Sequence, residues 1–82
     1  MKTDLLGVQQ RVIDIWSGEL GCPVAASDDF FKLGGDSMMV LKIVYRMKEA
    51  FGFEFAPTLL FEHPVASEFS RLVADIVCPG HS

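Results

Sequence analysis

A serine that follows two glycines and an aspartate is the residue of this sequence best placed to do chemistry. Ser37 stands directly after Gly34, Gly35 and Asp36, and an apolar segment with helical spacing begins at once. The start of a helix offers free N–H groups and the positive end of the helix dipole, and both favour a phosphate. The pattern therefore predicts that Ser37 lies exposed at a helix N-terminus, where its hydroxyl is suited to carry a phosphodiester.

Ser37 lacks the neighbours that would make it a catalytic nucleophile. Such a serine needs a general base, and the two histidines are His63, in a connector before a proline, and His81, in the tail. The sequence contains neither a Gly-x-Ser-x-Gly elbow nor a Walker-type phosphate loop. We therefore expect no enzyme, but an acceptor hydroxyl on which another protein acts. An exposed Asp36 would supply an oxygen ligand for a magnesium ion during that modification, although these residues also suit a plain turn and helix cap.

The spacing of the apolar residues predicts an all-α domain, a bundle of three longer helices and one short one. We expect a first helix over 4–17, a second over Ser37–Phe51 and a short third over Pro57–Phe61. The last helix carries an amphipathic set made of Val65, Phe69, Leu72, Val73 and Ile76. Asp36 is the expected N-cap of the second helix, and Gly52 is expected to end it.

A long connection, 18–36, joins the first two predicted helices. It is rich in glycine and shows no sustained period, and connections of this length usually contain short turns of their own. We expect Ser27 or Asp28 to cap one such turn, the one that has Phe30 and Phe31 as its apolar anchors. Phe30 and Phe31 are expected to anchor the connection in the core.

The second helix carries two apolar stripes, which is more than a domain of this size can bury around one helix. One stripe consists of Val40, Ile43, Val44, Met47 and Phe51. The other consists of Met38, Leu41 and Tyr45, with Lys42 and Glu49 nearby. We expect the first stripe to pack into the core and the second to stay exposed beside Ser37 as a docking surface. Methionine suits such a surface because it is flexible, although Met38 and Leu41 could instead pack under the long connection.

Size, charge and cysteine content narrow the function classes. Eighty-two residues suffice for a single domain over 1–82, and 7 basic against 11 acidic residues give a net charge of −4, which disfavours nucleic-acid binding. No apolar stretch approaches the length of a membrane span or a signal-peptide core, so we expect a cytoplasmic protein without a membrane partner. Cys22 and Cys78 are too few for a zinc site or a disulfide framework, so we expect free thiols and no bound metal.

Two motifs along the chain resemble landmarks of a known family. The first contains the candidate serine and runs Asp28-x-Phe30-Phe31-x-Leu33-Gly34-Gly35-Asp36-Ser37. The second consists of Phe51-Gly52 followed by Leu60-Phe61-Glu62-His63-Pro64. Together they resemble the peptidyl carrier proteins, or thiolation domains, of nonribosomal peptide synthetases. The resemblance covers roughly residues 5–77. The Gly-Asp-Ser part alone would also suit acyl carriers of polyketide or fatty-acid synthases, whereas the paired phenylalanines and glycines favour the peptidyl type.

The resemblance implies a four-helix, acyl-carrier-protein-like bundle with a covalent cofactor. A phosphopantetheinyl transferase would move 4′-phosphopantetheine from coenzyme A onto Ser37, and Asp36 would assist metal and transferase engagement. The terminal thiol would hold aminoacyl or peptidyl groups as thioesters for adenylation, condensation or tailoring enzymes. Met38, Leu41 and Tyr45 fall on the helix face that such carriers present to partners, and we expect a monomer. The alternatives are a polyketide-type acyl carrier and a cofactor-free helical interaction domain.

The sequence departs from the family pattern at two places. Met38-Met39 stands where residues rich in leucine or isoleucine are usual, which points to an unusual partner preference. Val65 stands where the family often has threonine, and this removes an expected cap of the last helix. The fold implied by the resemblance also sets Cys22 and Cys78 at opposite ends, so we expect no internal disulfide.

Overall fold

The described part of the chain contains four helices and the connections between them. In the computed structural model, which describes residues 5–77, the helices are α1 (Leu5–Leu20), α2 (Ser37–Phe51), α3 (Pro57–Glu62) and α4 (Ala66–Val77). Among these residues the only strand-like pairing is an isolated bridge between Asp29 and Val65. The predicted all-α class is confirmed, and the bounds of α2 agree with the prediction.

α1 is longer than the sequence predicts. The helix continues through Gly18 and ends after Leu20, where Gly21 adopts a left-handed φ of 74° and donates its N–H to the Ser17 carbonyl over 2.9 Å. A single glycine inside a helix costs only about 1 kcal/mol. Leu20 packs against the core. The prediction of an end at residue 17 is therefore wrong, because the apolar contact of the last turn outweighs the low helix propensity of Gly18.

α1 packs against both α2 and α4 and runs antiparallel to α2. Near the end of α1, Glu19 Oε2 lies 2.6 Å from Arg46 Nε. Near its middle, the Arg11 guanidinium lies 6.0 Å from the centre of the Phe51 ring. Since the later α1 residue meets the earlier α2 residue, the two helix axes point in opposite directions.

The core lies between the three longer helices and is closed by aromatic rings. Its fully buried members on α2 are Val40, Ile43 and Met47, while Val44 and Phe51 are half-buried against it. The core stripe predicted for the second helix is therefore confirmed. Trp16 of α1 contacts Phe30 and Phe69, with ring centres 5.3 and 5.6 Å away. No helix of residues 5–77 is long and apolar enough to cross a membrane.

Candidate functional site

Asp36 and Ser37 form the start of α2. Asp36 has extended backbone, and its Oδ1 accepts a hydrogen bond of 2.9 Å from the Met39 N–H. Its carbonyl oxygen accepts the first bond of the helix, 3.0 Å from the Val40 N–H. The predicted N-cap is confirmed. Ser37 is the first residue of the helix and is exposed, as the sequence predicts.

This helix start fits a phosphate ester on Ser37. The N–H groups of Ser37 and Met38 precede the first bond of the helix, so the helix itself does not use them. They face the region where an anion is favoured by the helix dipole. The second carboxylate oxygen of Asp36, Oδ2, makes no hydrogen bond within residues 5–77 and is available to bind a metal ion. The same residues contain no group of three or more His, Cys, Asp or Glu side chains arranged for a metal ion.

Gly34 and Gly35 are required for different reasons. Gly34 has a φ of 104°, a backbone conformation that residues with a Cβ atom rarely adopt. Gly35 does not have a positive φ, but a Cβ on it would lie 2.6 Å from Cζ of the buried Phe30 ring, far inside van der Waals contact. The Gly35 N–H also donates to the Phe30 carbonyl over 3.1 Å. Gly34 thus allows the turn before Asp36, and Gly35 allows the backbone to pass close to the buried Phe30 ring.

Backbone hydrogen bonds tie the connection before Ser37 to the start of α4. The N–H groups of Ala66 and Ser67 donate to the carbonyls of Asp28 and Ala26, over 3.0 and 2.8 Å. The Phe30 N–H donates in return to the Pro64 carbonyl over 2.8 Å. The first turn of α4 is thus capped by the connection, which replaces the side-chain cap absent at Val65. The sequence does not reveal this cap, because its acceptors are backbone carbonyls, which every residue type has.

Asp29 caps the turn that carries the two phenylalanines. Its Oδ1 accepts hydrogen bonds from the N–H groups of Phe31 and Lys32, over 2.9 and 3.1 Å. The prediction that Ser27 or Asp28 caps this turn is therefore wrong by one residue. Asp28 holds the preceding turn, since its Oδ2 accepts from the Ala25 N–H over 2.8 Å. The two consecutive carboxylates thus accept hydrogen bonds from backbone N–H groups of two different turns.

Met38, Leu41 and Tyr45 form an exposed apolar strip along α2, which we call the α2 surface. Their exposed fractions are 66%, 54% and 62%. They border a shallow groove of about 540 Å³ that also touches Glu19 and Arg46. The alternative that Met38 and Leu41 pack under the connection is therefore wrong. The α2 surface starts at the residue after Ser37, so a protein that reaches Ser37 can also contact this strip.

Some of the charges around the α2 surface are paired, whereas Lys42 and Glu49, which border the same groove, form no ion pair within residues 5–77. Arg46 is held by Glu19, whose side chain is only 15% exposed. Farther along α2, Lys48 Nζ lies 2.9 Å from Glu54 Oε2. This hydrogen bond raises the pKa of Lys48 and lowers the pKa of Glu54. Both groups are solvated, so the pair adds little stability. An approaching partner therefore meets apolar side chains flanked by one compensated pair, Glu19 and Arg46, and by the unpaired charges of Lys42 and Glu49.

Phe61 adds an exposed aromatic ring, a surface position that the sequence pattern does not predict. It is 45% exposed and stacks on Phe31, with ring centres 5.6 Å apart and planes 13° apart. The Phe31 carbonyl accepts the Gly34 N–H over 3.1 Å, so the stack adjoins the approach to Ser37. Phe31 anchors the connection less deeply than Phe30, which is fully buried. The one sequence signal for this exposure is that Phe61 lies near the end of a short helix.

The remaining predicted residues stand apart from Ser37 or outside the described range. The His63 N–H closes α3 by donating to the Leu59 carbonyl over 3.0 Å. The His63 side chain lines a separate groove on α4 with Ser67, Glu68, Arg71 and Leu72, and no residue of α2 borders it. Cys22 is half-buried and has no disulfide partner within residues 5–77. His81 and Cys78 lie outside the described residues, and the expectation of no disulfide between Cys22 and Cys78 stays a prediction.

Comparisons with known proteins agree with this geometry. A family model described as "Phosphopantetheine attachment site" matches residues 10–73. The chain is 34% identical over 68 residues, 82% of its length, to tyrocidine synthase 3 of Brevibacillus parabrevis, and spans 1% of that protein. A solved structure described as a "Non Ribosomal PCP domain" superposes with a TM-score of 0.75 at 30% identity, covering 88% of this chain and 94% of that one.

A type-II carrier gives a second structural match. BlmI, a type-II acyl carrier protein of Streptomyces verticillus involved in bleomycin biosynthesis, superposes with a TM-score of 0.85 at 26% identity, covering 89% of each chain. The fold, the exposed serine and these matches agree on the covalent group, which is 4′-phosphopantetheine. The chain belongs to the phosphopantetheine attachment family and, within it, to the peptidyl carrier domains of nonribosomal peptide synthesis.

Proposed function

We propose that Ser37 is the attachment point of 4′-phosphopantetheine and that the protein presents aminoacyl or peptidyl groups on this arm. The observation that carries the proposal is an exposed serine hydroxyl on the first residue of a capped helix, beside an exposed apolar strip. A serine in that place is open to a modifying enzyme. The N–H groups at the helix start favour the phosphate that results.

In the loading step, Ser37 would be the acceptor and Asp36 would supply a ligand to the metal ion. The Ser37 Oγ attacks the pyrophosphate phosphorus that bears the pantetheine half of coenzyme A, and a base of the transferase takes the hydroxyl proton. The bond to the adenosine bisphosphate half breaks, and that half leaves with the electron pair. Asp36 Oδ1 is occupied by the cap, so Oδ2 is the oxygen that would hold a magnesium ion, which would offset phosphate charge during loading.

The attached arm supplies a thiol that holds the cargo as a thioester, and the chain supplies the surface that partners recognise. We propose that Met38, Leu41 and Tyr45 contact the transferase and the adenylation, condensation or tailoring enzymes that act on the cargo. Their exposure beside Ser37 supports this role. A polyketide-type acyl carrier is the alternative, and the similarity to a tyrocidine synthase supports the peptidyl type over it.

The proposed role extends to the chain as a whole. We propose that 1–82 is one domain, supported by the single core cluster of residues 5–77. We propose no catalysis by the chain itself, supported by the separation of the His63 groove from α2. We also propose a monomer in the cytoplasm, supported by the net charge of −4, which opposes self-association, and by a content of two cysteines, which suits a reducing compartment.

A loading assay tests the proposed function. The protein is incubated with coenzyme A, magnesium and a broad-specificity phosphopantetheinyl transferase, and its intact mass is measured. We expect a gain of one phosphopantetheinyl group in the wild type and none in Ser37→Ala. The control is Ser67→Ala, which removes a half-buried hydroxyl on α4 and should load normally. A folded wild-type protein that gains no mass would refute the proposal.

Two substitutions at Asp36 separate its cap from its proposed metal role. Asp36→Asn keeps an oxygen that accepts the Met39 N–H, so we expect a change in unfolding free energy of less than about 0.5 kcal/mol. Asp36→Ala loses the cap and should be destabilised by about 1 kcal/mol. Both remove the carboxylate charge, so both should load at least about tenfold more slowly at limiting magnesium. Normal loading of Asp36→Asn would restrict Asp36 to capping.

A charge on the α2 surface should impair loading without unfolding the protein. Tyr45 is 62% exposed, so Tyr45→Asp should leave the thermal midpoint within a few degrees of the wild type. We expect its loading rate to fall about tenfold because a partner would have to desolvate the new carboxylate. The matched control is Ile76→Asp, which places the same charge on an exposed apolar site of α4. Equal loading of both variants would contradict a docking role for Tyr45.

A further inference from the structure

The three methionines of α2 differ sharply in exposure. Met38 is 66% exposed, Met39 is half-buried against the core, and Met47 is fully buried. Peroxides convert a methionine thioether to the sulfoxide, and accessible side chains react first. Within α2, the sulfur that a peroxide reaches most readily is therefore the one beside Ser37.

We propose that Met38 is an oxidation site and that its sulfoxide weakens the engagement of Ser37 by the phosphopantetheinyl transferase, an inference that rests on the proposed function. The oxidant is hydrogen peroxide or an organic hydroperoxide. The Met38 sulfur lone pair attacks one peroxide oxygen, a sulfur–oxygen bond forms and the oxygen–oxygen bond breaks. Sulfur is oxidised, the peroxide is reduced to water or an alcohol, and the methionine keeps its carbon chain intact.

The position of Met38 explains why oxidation would act on docking and not on folding. Its side chain belongs to the α2 surface with Leu41 and Tyr45, where an apolar contact next to Ser37 becomes polar on oxidation. Glu19 and Arg46 pair with each other, while Lys42 and Glu49 border the same groove without an ion pair, so Met38 itself contributes apolar burial and not charge to a partner contact. The helix cap joins the Asp36 carboxylate to the Met39 N–H, and the core contacts of the α2 methionines are made by Met39 and Met47, so neither depends on Met38.

The test combines peptide mapping with the loading assay. Unmodified protein is treated with a graded series of hydrogen peroxide and then with dithiothreitol, which reverses sulfenic acids and disulfides at cysteine but leaves methionine sulfoxide in place. Fragmentation mass spectrometry then gives the oxidised fraction of each methionine, and circular dichroism follows the fold. Finally, each sample is loaded before and after treatment with both methionine sulfoxide reductases.

We expect Met38 to be oxidised before Met39 and Met47, and loading to slow about fivefold at unchanged helicity, the order expected for one lost apolar contact. The reductases should restore the rate. Met38→Leu should keep its own starting rate after peroxide, whereas the control Met39→Leu should slow as the wild type does. Oxidation of Met47 ahead of Met38, or undiminished loading of the Met38 sulfoxide, would overturn the inference. Absence of loading before any peroxide would instead refute the proposed function and this inference with it.

Discussion

Gly35→Ala is expected to lower the thermal midpoint by about 10 °C and to slow loading of Ser37 severalfold. The added methyl group would overlap the buried ring of Phe30, whose Cζ lies 2.6 Å from the position of the new Cβ. Forcing an extra carbon into a packed core costs about 1–3 kcal/mol, which corresponds to a shift of this size in a small domain. Relief of the overlap must displace either the core ring or the backbone that leads to Asp36.

A second substitution shows whether this contact is the cause. Phe30→Leu makes room beside Gly35, so the Phe30→Leu/Gly35→Ala protein should be more stable than the sum of the two single changes implies. The matched control is Gly34→Ala, whose cost comes from a φ of 104° in open space. Phe30→Leu should not offset that cost. Simple additivity in both pairs, measured by urea unfolding, would contradict the proposed reason for Gly35.

Phe30→Ala is expected to destabilise the protein by about 3–5 kcal/mol, the range found for large aromatic truncations in cores. Phe30 is fully buried, contacts the ring of Trp16 and has its backbone N–H bonded to Pro64. Its loss would free the connection that positions Ser37 and would leave a cavity beside α1. We expect loading to fall with the folded fraction when both are measured over a temperature series.

Phe61→Ala is the matched control for this truncation. The Phe61 ring is 45% exposed and contacts the connection only through its stack on Phe31. Its removal should cost about 1 kcal/mol or less, since less apolar area leaves the interior and no closed cavity forms. Equal losses of unfolding free energy in Phe30→Ala and Phe61→Ala would show that the burial of Phe30 is not what anchors the connection.

The helices and the start of α2 were predictable because they depend on local patterns. An aspartate before an apolar run, and a glycine after it, act within one turn of the residues they cap, and both ends of α2 agree with the prediction. The two stripes of α2 follow from helical spacing and the small size of the domain. The end of α1 was not predictable in this way, because the contact of Leu20 with the core outweighs the local signal of Gly18.

The architecture around the site depends on contacts between distant parts of the chain, which spacing does not reveal. The cap of α4 comes from carbonyls some forty residues earlier in the sequence, at Ala26 and Asp28. The role of Gly35 depends on where the Phe30 ring lies. Phe61 is only partly covered because Phe31 shields one face of its ring. Each of these features fixes Ser37 indirectly, and none has a sequence signature of its own.

The most direct test of the central claim is to locate the phosphopantetheinyl group within the loaded protein. Wild-type protein is incubated with coenzyme A and transferase and digested, and its peptides are fragmented in the mass spectrometer. The assignment predicts that the group lies on Ser37 alone, with Ser27, Ser67 and Ser70 unmodified. A phosphopantetheinyl group on any other residue, with Ser37 left free, would contradict it.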